Sequence, residues 1–121
     1  MTSARPTTPD RHRRDRQRMQ QHLRENLSDS SLSVAASSAA LFMSVRYVQK
    51  VFAQAGTTPM AWLVDCRIGE ARRLLGETSL PIGEVARMVG YRDTAQFSRS
   101  FKSRTGCSPS AFRGGRSTSI S

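Results

Sequence analysis

Two stretches of the chain carry the same pattern, and this repetition limits what the chain can fold into. Each stretch has a residue suited to cap a helix, then an apolar pair four residues apart, then a closing segment of the form Gly-x-x-Pro. The first has Ser44, Val48 with Phe52, and 56–59; the second has Asp93, Phe97 with Phe101, and 106–109. Because residues four apart lie on one side of a helix, the sequence predicts one helical module that occurs twice in tandem.

The second module, residues 80–113, has the fuller pattern. A short helix is predicted after Pro81, because proline fits the first turn of a helix and apolar residues recur on one face at Ile82, Val85, Ala86 and Val89. Gly90 then supplies a tight turn, since glycine adopts left-handed dihedrals at little cost. A longer helix with polar and basic faces follows from about Asp93 to Arg104. This pattern is typical of a helix-turn-helix whose second helix enters the DNA major groove, although a basic helix face can also be merely solvated.

The charge of the chain favours a polyanionic partner. The formal net charge is +10, which favours nucleic acid over a membrane surface. The excess is not confined to one end, because residues 92–116 hold five Arg and Lys102 against Asp93 alone. No apolar run approaches the length of a membrane span, and the polar, Arg-rich N-terminus is unlike a signal peptide. A cytoplasmic, nucleoid-associated protein is therefore expected.

The predicted organisation has five segments. Residues 1–10 are predicted to be a disordered lead or linker, and 114–121 a disordered tail. Residues 11–56 are predicted to hold an N-terminal helix and the first helix-turn-helix, 57–76 a linker helix, and 77–113 the second helix-turn-helix. About sixteen residues of helix span roughly 24 Å, so the linker helix can hold two reading helices about one DNA turn, roughly 34 Å, apart. The arginine run of the N-terminal helix is either a phosphate-contacting arm or a solvated face.

Several short runs in these modules match the pattern of a known family. They are the linker-helix end at 71–75, Ile82-Gly-Glu-Val-Ala86 with Val89-Gly90-Tyr91, Phe97-Ser-Arg-Ser-Phe101-Lys, and Gly106-Cys-Ser-Pro109 with Phe112-Arg113. In these runs the chain resembles the DNA-binding domain of the AraC/XylS family of bacterial transcription regulators. The resemblance implies an all-α fold of about seven helices, with two helix-turn-helix subdomains joined by a long linker helix. It also implies sequence-specific binding of double-stranded DNA at two adjacent major-groove segments, usually to activate transcription through contact with RNA polymerase.

The resemblance, carried over by position, implies that seven side chains contact bases. They are Arg46, Gln49 and Lys50 in the first reading helix, and Thr94, Ala95, Gln96 and Arg99 in the second. Their chemistry agrees, because Arg or Lys pairs with guanine, Gln pairs with adenine, and the methyl group of Ala or Thr contacts thymine. Four further residues are better suited to phosphates, which position a protein without specifying sequence: Ser44, Ser98, Lys102 and Arg104.

The first module departs from the family pattern at two positions. Ser37 stands where a large aliphatic residue is usual, and Phe42 stands in place of the usual turn glycine. Because Phe42 cannot take a left-handed dihedral cheaply, a different shape for that turn is left open. It is also left open whether the first module reads bases. The second module is the firmer part of the prediction.

Two other functions compete with this one. A basic helical protein that coats nucleic acid without reading sequence would lose affinity with salt alike for all sequences. An enzyme, for instance a DNA-repair protein with a reactive cysteine, would need Cys66 or Cys107 to be activated, and neither has flanking His, Lys or metal ligands. We therefore expect no enzyme activity, no catalytic or metal site and no cofactor. We also expect no small-molecule effector within this chain, since no β-rich pocket is predicted, and a monomer.

Overall fold

The part of the chain that the structure describes folds into seven α-helices. The computed structural model describes residues 7–118, with side chains as far as residue 115. Within that range the chain has no strands, and its helices are α1 (Thr8–Glu25), α2 (Val34–Ala40), α3 (Val45–Ala53), α4 (Pro59–Glu77), α5 (Ile82–Met88), α6 (Thr94–Thr105) and α7 (Pro109–Thr118). The prediction of an all-α chain of about seven helices is confirmed. The described residues divide into two compact units: unit 1 comprises 7–26 and 32–63, and unit 2 comprises 27–31 and 64–118.

Both ends of the described chain are more helical than the sequence predicts. The first helix begins at Thr8, where a disordered lead is predicted, because the hydroxyl of Thr7 caps it by accepting the N–H of Asp10 at 3.2 Å. The last helix continues to Thr118, five residues into the predicted tail. The hydroxyl of Ser108 caps this helix by accepting a backbone N–H at 3.1 Å. The rest of the predicted lead and tail, 1–6 and 119–121, lies outside the described residues.

Unit 1 packs α1, α2 and α3 with the start of α4. Its fully or nearly fully buried apolar side chains are Met19, Leu23, Val48, Val51, Phe52 and Leu63. The ring of Phe52 meets the edge of Trp62 at 6.3 Å between centroids. The short helix α2 contributes mainly two buried serines to this core. The hydroxyl of Ser38 donates to the carbonyl of Val34 at 2.7 Å, whereas the hydroxyl of Ser37 is buried without a hydrogen-bond partner.

Unit 2 has a larger apolar core, formed by α4, α5, α6 and α7. Its buried members are Ile68, Ala71, Leu74, Leu75, Val85, Ala86, Val89, Tyr91, Phe97 and Phe101. Four aromatic rings follow one another through this core, with centroid separations of 5.5 Å from Tyr91 to Phe97, 5.8 Å from Phe97 to Phe101, and 5.5 Å from Phe101 to Phe112. Rings at such separations and tilted angles attract one another beyond the effect of burial alone.

Two arginines connect the helices of unit 2 to its loops. Arg67 of α4 is 8% exposed and donates to the carbonyls of Leu27 and Asp29, both at 2.9 Å. These bonds join the loop of residues 27–31 to α4. The loop therefore belongs to unit 2, although the sequence predicts that it belongs to the first module. Arg113 of α7 donates in the same way to the carbonyl of Leu80 at 2.7 Å. Each guanidinium therefore donates hydrogen bonds to loop carbonyl oxygens that have no partner within a helix.

Candidate nucleic-acid interface

The first reading helix, α3, presents a polar face to solvent. The three residues predicted to contact bases, Arg46, Gln49 and Lys50, are all exposed and share this face because they follow a 3-4 spacing. The opposite side is buried. The hydroxyl of Ser44 caps the helix by accepting the N–H of Tyr47 at 3.0 Å, and a hydroxyl that accepts this bond can still donate its proton to a phosphate oxygen. The cap predicted at Ser44 is confirmed.

Helix α3 is held against α1 by polar side chains. The hydroxyl of Tyr47 donates to the carboxylate of Asp15. The ring nitrogen Nδ1 of His12 hydrogen-bonds the side-chain amide of Gln54 at the end of α3, with 2.9 Å between Nδ1 and Nε2. His12, Asp15, Tyr47 and Gln54 were not predicted from the sequence to have this role. The available signal for His12 and Asp15 was their position in α1, because they precede the buried Met19 by seven and four positions and therefore share its side of the helix.

The turn before α3 keeps a left-handed residue. Phe42 adopts φ 59°, and its side chain is 97% exposed. The sequence left open a different shape for this turn because phenylalanine tolerates such a dihedral poorly, yet Phe42 occupies the position in which Gly90 (φ 96°) is found in unit 2. The turn differs in length instead. Three residues, 41–43, separate α2 from its following cap, against four residues, 89–92, in unit 2.

The second reading helix, α6, has a clear division of faces. Phe97 and Phe101 are fully buried, and Asp93 caps the helix because its Oδ1 accepts the N–H of Ala95 at 2.9 Å. The cap predicted at Asp93 is confirmed. The four residues predicted to contact bases and one predicted to contact phosphate are exposed: Thr94, Ala95, Gln96, Arg99 and Lys102. Three of these, Ala95, Arg99 and Lys102, lie on the side of the helix away from the buried rings.

The two remaining phosphate candidates of α6 are more constrained. Ser98 is half-buried, and the Nε of Arg104 lies 3.0 Å from the Oδ1 of Asp65 on α4. This ion pair is partly exposed, so it contributes little to stability, but it fixes the direction of the guanidinium. Beside it a hollow of about 300 Å³ is lined by Val64, Arg99, Ser100, Ser103 and Arg104. Neither Ser100 nor Ser103 was predicted from the sequence to contact DNA.

The described part of the chain was also searched for a metal site and for a membrane-spanning helix. Among residues 7–118, no three His, Cys, Asp or Glu side chains come together in the way that a metal ion requires. None of the helices in the same range combines the length and the apolar character of a membrane span. The exposed polar faces of α3 and α6 are therefore the candidate site.

The chain is similar to known helix-turn-helix transcription regulators. A family profile described as a helix-turn-helix domain matches residues 37–115. The chain is 41% identical over 99 residues to the transcriptional activator NphR of a Rhodococcus species, covering 82% of this chain and 30% of that protein. It is 38% identical over 96 residues to the arabinose operon regulatory protein of Escherichia coli (strain K12), covering 78% of this chain and 33% of that protein.

A solved structure with DNA is also similar. The DNA-binding domain of AdpA, described as a global transcriptional factor and solved in complex with a target DNA, superposes with a TM-score of 0.76 at 27% identity. The match covers 83% of this chain and 90% of that one. The chain spans about a third of the length of the curated relatives that it matches.

Proposed function

The chain belongs to the AraC/XylS family of transcription regulators, and from this premise we propose that it is a sequence-specific double-stranded DNA-binding regulator that reads two adjacent major-groove segments. The observation that carries the proposal is the exposed polar and basic face of α6, opposite the buried Phe97 and Phe101. The AdpA domain, which is similar in fold and was solved with a target DNA, supports the same mode of action.

The proposed base contacts come from both reading helices. In unit 1, Arg46 and Lys50 can donate to guanine O6 and N7, and Gln49 can pair with adenine. In unit 2, Arg99 and Gln96 have the same chemistry. The methyl groups of Thr94 and Ala95 can contact thymine.

The proposed phosphate contacts flank these residues. Lys102 is an exposed cation on the outer side of α6. Ser44 can donate its hydroxyl proton, and Ser98 can do so from its half-buried position. Arg104 offers the guanidinium hydrogens that Asp65 does not use, since a guanidinium has five N–H donors. These contacts would position the protein on the duplex without selecting sequence.

The cellular role follows from the relatives. NphR is named a transcriptional activator, and we assign activation to this chain by analogy, through contact with RNA polymerase. In this proposal the chain acts as a monomer on the nucleoid in the cytoplasm, holds no small-molecule effector itself, needs no cofactor and catalyses no reaction. The two reading helices would engage segments about one helical turn of DNA apart, roughly 34 Å.

Selection of bound sequences from a random duplex pool tests this function directly. At about 150 mM salt nonspecific binding is weak, so enrichment reports base reading. Two short motifs about one helical turn apart are expected. A single motif would mean that one unit reads bases, and matched variants in α3 and α6 would show which. Retained binding at low salt without any motif would contradict the proposal and favour a protein that coats nucleic acid nonspecifically.

Two substitutions in α6 separate base reading from phosphate contact. Replacing Arg99 with Ala should cost roughly 1 to 3 kcal/mol of binding and relax preference at one base pair, because a bidentate base contact is lost. Replacing Lys102 with Ala should weaken all sequences similarly and lower the salt slope by about one unit. Titrations of both variants on the selected site and on a site with one base pair changed distinguish these results. Unchanged specificity in Arg99→Ala would remove the base-contact role of that residue.

A further inference from the structure

We propose that three arginines of α1 form a second DNA contact of unit 1, which binds the phosphate backbone beside the base pairs read by α3. The contact, here named the arginine stripe, consists of Arg11, Arg14 and Arg18. This inference rests on the proposed function, because it extends the interface of the same reading helix.

The stripe is one continuous face of α1. Positions 11, 14 and 18 follow the 3-4 spacing that brings residues to the same side of a helix. All three side chains are exposed, whereas Met19 and Leu23 on another side are fully buried. The eight residues from Arg11 to Arg18 cover about 10 Å of helix axis. Successive phosphates of one DNA strand advance about 3.4 Å along the duplex, so the stripe has the length of roughly three phosphate steps.

The stripe lies next to the turn that leads into α3. Arg11 and Arg18 line a hollow of about 460 Å³ together with residues 41–44 of that turn and Tyr47. Arg14 and Arg18 line a neighbouring hollow of about 410 Å³ that also includes Leu41. Both hollows belong to unit 1. The cationic stripe and the capping hydroxyl of Ser44, itself a proposed phosphate contact, therefore share one surface.

Nearby carboxylates compensate the charge of the stripe only in part. Arg18 lies 3.5 Å from Asp15, whose carboxylate already accepts the hydroxyl of Tyr47. Among the described residues, no ion pair joins Arg11 or Arg14 to a carboxylate; Asp10 pairs with Arg13, at 3.7 Å from Nη1 to Oδ1, and interacts electrostatically with Arg14 as well. A row of like charges repels itself, and a row of phosphates relieves that repulsion. The sequence left the arginine run as either an arm or a solvated face, and this geometry points to the arm.

A protein partner is the competing occupant of this surface. Phe42 is almost fully exposed beside the stripe, and Val45 is 36% exposed, so an acidic protein segment with an apolar anchor would also fit. DNA is favoured because two of the three cations, Arg11 and Arg18, line the same hollow as Ser44, the cap of a reading helix. An acidic protein segment would not require that position.

The test uses paired single variants, Arg14→Gln and Arg13→Gln. Both remove one exposed positive charge from the same helix, and glutamine keeps a similar helix propensity, but only Arg14 belongs to the stripe. The dissociation constant is measured by fluorescence anisotropy at several salt concentrations on the selected duplex. Arg14→Gln should lower the slope of log K against log salt by about 0.9, the effect of one lost phosphate contact. Arg13→Gln should leave the slope unchanged.

A triple variant and a longer duplex test the position of the contact. Lengthening the duplex by about half a helical turn at each end in turn should strengthen wild-type binding at one end only, that of the α3 motif. Arg11→Gln/Arg14→Gln/Arg18→Gln should lose this gain and about 2.7 units of salt slope while keeping its base preference. The proposed stripe would be wrong if Arg14→Gln and Arg13→Gln had equal slopes of log K against log salt. It would also be wrong if the triple variant still bound the longer duplex more strongly.

The remaining outcomes distinguish a failure of the proposed function from a failure of the arginine stripe. A wild-type chain that binds all duplexes alike would contradict the proposed function, and the flanking position of the stripe with it. A chain that keeps its motif while Arg14→Gln behaves like Arg13→Gln would contradict the stripe alone. If Phe42→Ala lowers promoter activation in a reconstituted transcription assay and the triple variant has the same effect without any change in DNA affinity, the surface belongs to a protein partner and the proposal is wrong.

Discussion

Units 1 and 2 hold their reading helices by different means. In unit 2 the buried Phe97 and Phe101 anchor α6 within a row of four aromatic rings. In unit 1, α3 has smaller apolar anchors and gains polar ones, because Tyr47 bonds Asp15 and Gln54 bonds His12. The same arrangement of helices is thus stabilised mainly by apolar burial in one unit, and by burial together with directed hydrogen bonds in the other.

The helices before the two turns show the same contrast. Both α2 and α5 have seven residues, and the fourth is Ser37 in α2 and Val85 in α5, each almost fully buried. The left-handed turn residue is Phe42 in unit 1 and Gly90 in unit 2. Each of these choices lowers the stability of unit 1. A helix-turn-helix can therefore keep its topology with a weaker core, and we expect unit 1 to open before unit 2.

The largest effect is expected from Gly90→Ala in unit 2. A Cβ there would lie 2.2 Å from the carbonyl oxygen of Leu27 and 2.7 Å from the Nε of Arg67, at a φ of 96°. The clash and the strain together should cost about 2 to 5 kcal/mol of unfolding free energy. Urea titration monitored by circular dichroism measures this loss. Gly106→Ala is the matched control, because its φ is 90° but no atom lies within 4 Å, so only the strain of about 1 to 2 kcal/mol remains. Equal losses would show that contact with the 27–31 loop is unimportant.

Tyr47→Phe tests the polar attachment of α3 to α1. The variant keeps the ring and loses the hydrogen bond to Asp15, which should cost about 1.5 to 3 kcal/mol because the acceptor is charged. The base preference of α3 should weaken more than that of α6. Sequence selection with the variant measures both, and equal weakening of the two motifs would contradict a role confined to unit 1.

The same substitution makes a prediction for pH. Burial, the hydrogen bond to Asp15 and the charge of that carboxylate raise the pKa of Tyr47 to about 12 from an ordinary value of 10.0. Between these two values the unfolded chain releases the phenolic proton and the folded chain keeps it, so this contribution to stability is full below pH 10 and falls as pH rises to about 12. Denaturation at several pH values should show a steeper fall for wild type than for Tyr47→Phe. Parallel curves would mean that the bond to Asp15 is absent in solution.

A smaller gain is expected from Ser37→Ala in unit 1. The hydroxyl of Ser37 is buried and unpaired, so its removal should stabilise the chain by about 1 kcal/mol, the cost of an unmet hydrogen-bonding group. Ser38→Ala is the control, since it removes a hydroxyl that donates to Val34 at 2.7 Å, and it should bring no gain. Thermal unfolding compares the two. Equal shifts in Tm would show that Ser37 has a partner in solution.

The smallest effect is expected from Phe42→Gly. Glycine relieves the left-handed strain of about 1 to 2 kcal/mol and adds some backbone entropy to the unfolded state. Because the side chain is 97% exposed, little burial is lost, and a net gain of about 0.5 to 1 kcal/mol should remain. This variant makes the turn of unit 1 more like that of unit 2. A loss of stability would show that the ring of Phe42 makes a stabilising contact in the folded chain.

Much of the fold was predictable because it depends on neighbours in sequence. The helices, the caps at Ser44 and Asp93 and the buried pairs of each module follow from spacings of three and four residues. The prediction failed at the two ends: Thr7 caps a helix that begins within the predicted lead, and α7 continues to Thr118, within the predicted tail. It also missed that Phe42 adopts a left-handed dihedral, because the strain is local but the connection between two packed helices imposes it.

The candidate site divides in the same way. The family resemblance implied which side chains of α3 and α6 contact DNA, and the apolar stripe of each helix predicted that the residues opposite it are exposed. Only the tertiary structure decided which cations remain available. Arg104 is paired with Asp65, Arg67 is buried against backbone carbonyls, and Arg14 forms no ion pair among the described residues although Asp10 lies near it. The physical reason is that an arginine's partner is fixed by distance in space, and for Arg67 and Arg104 that partner is about forty residues away along the chain.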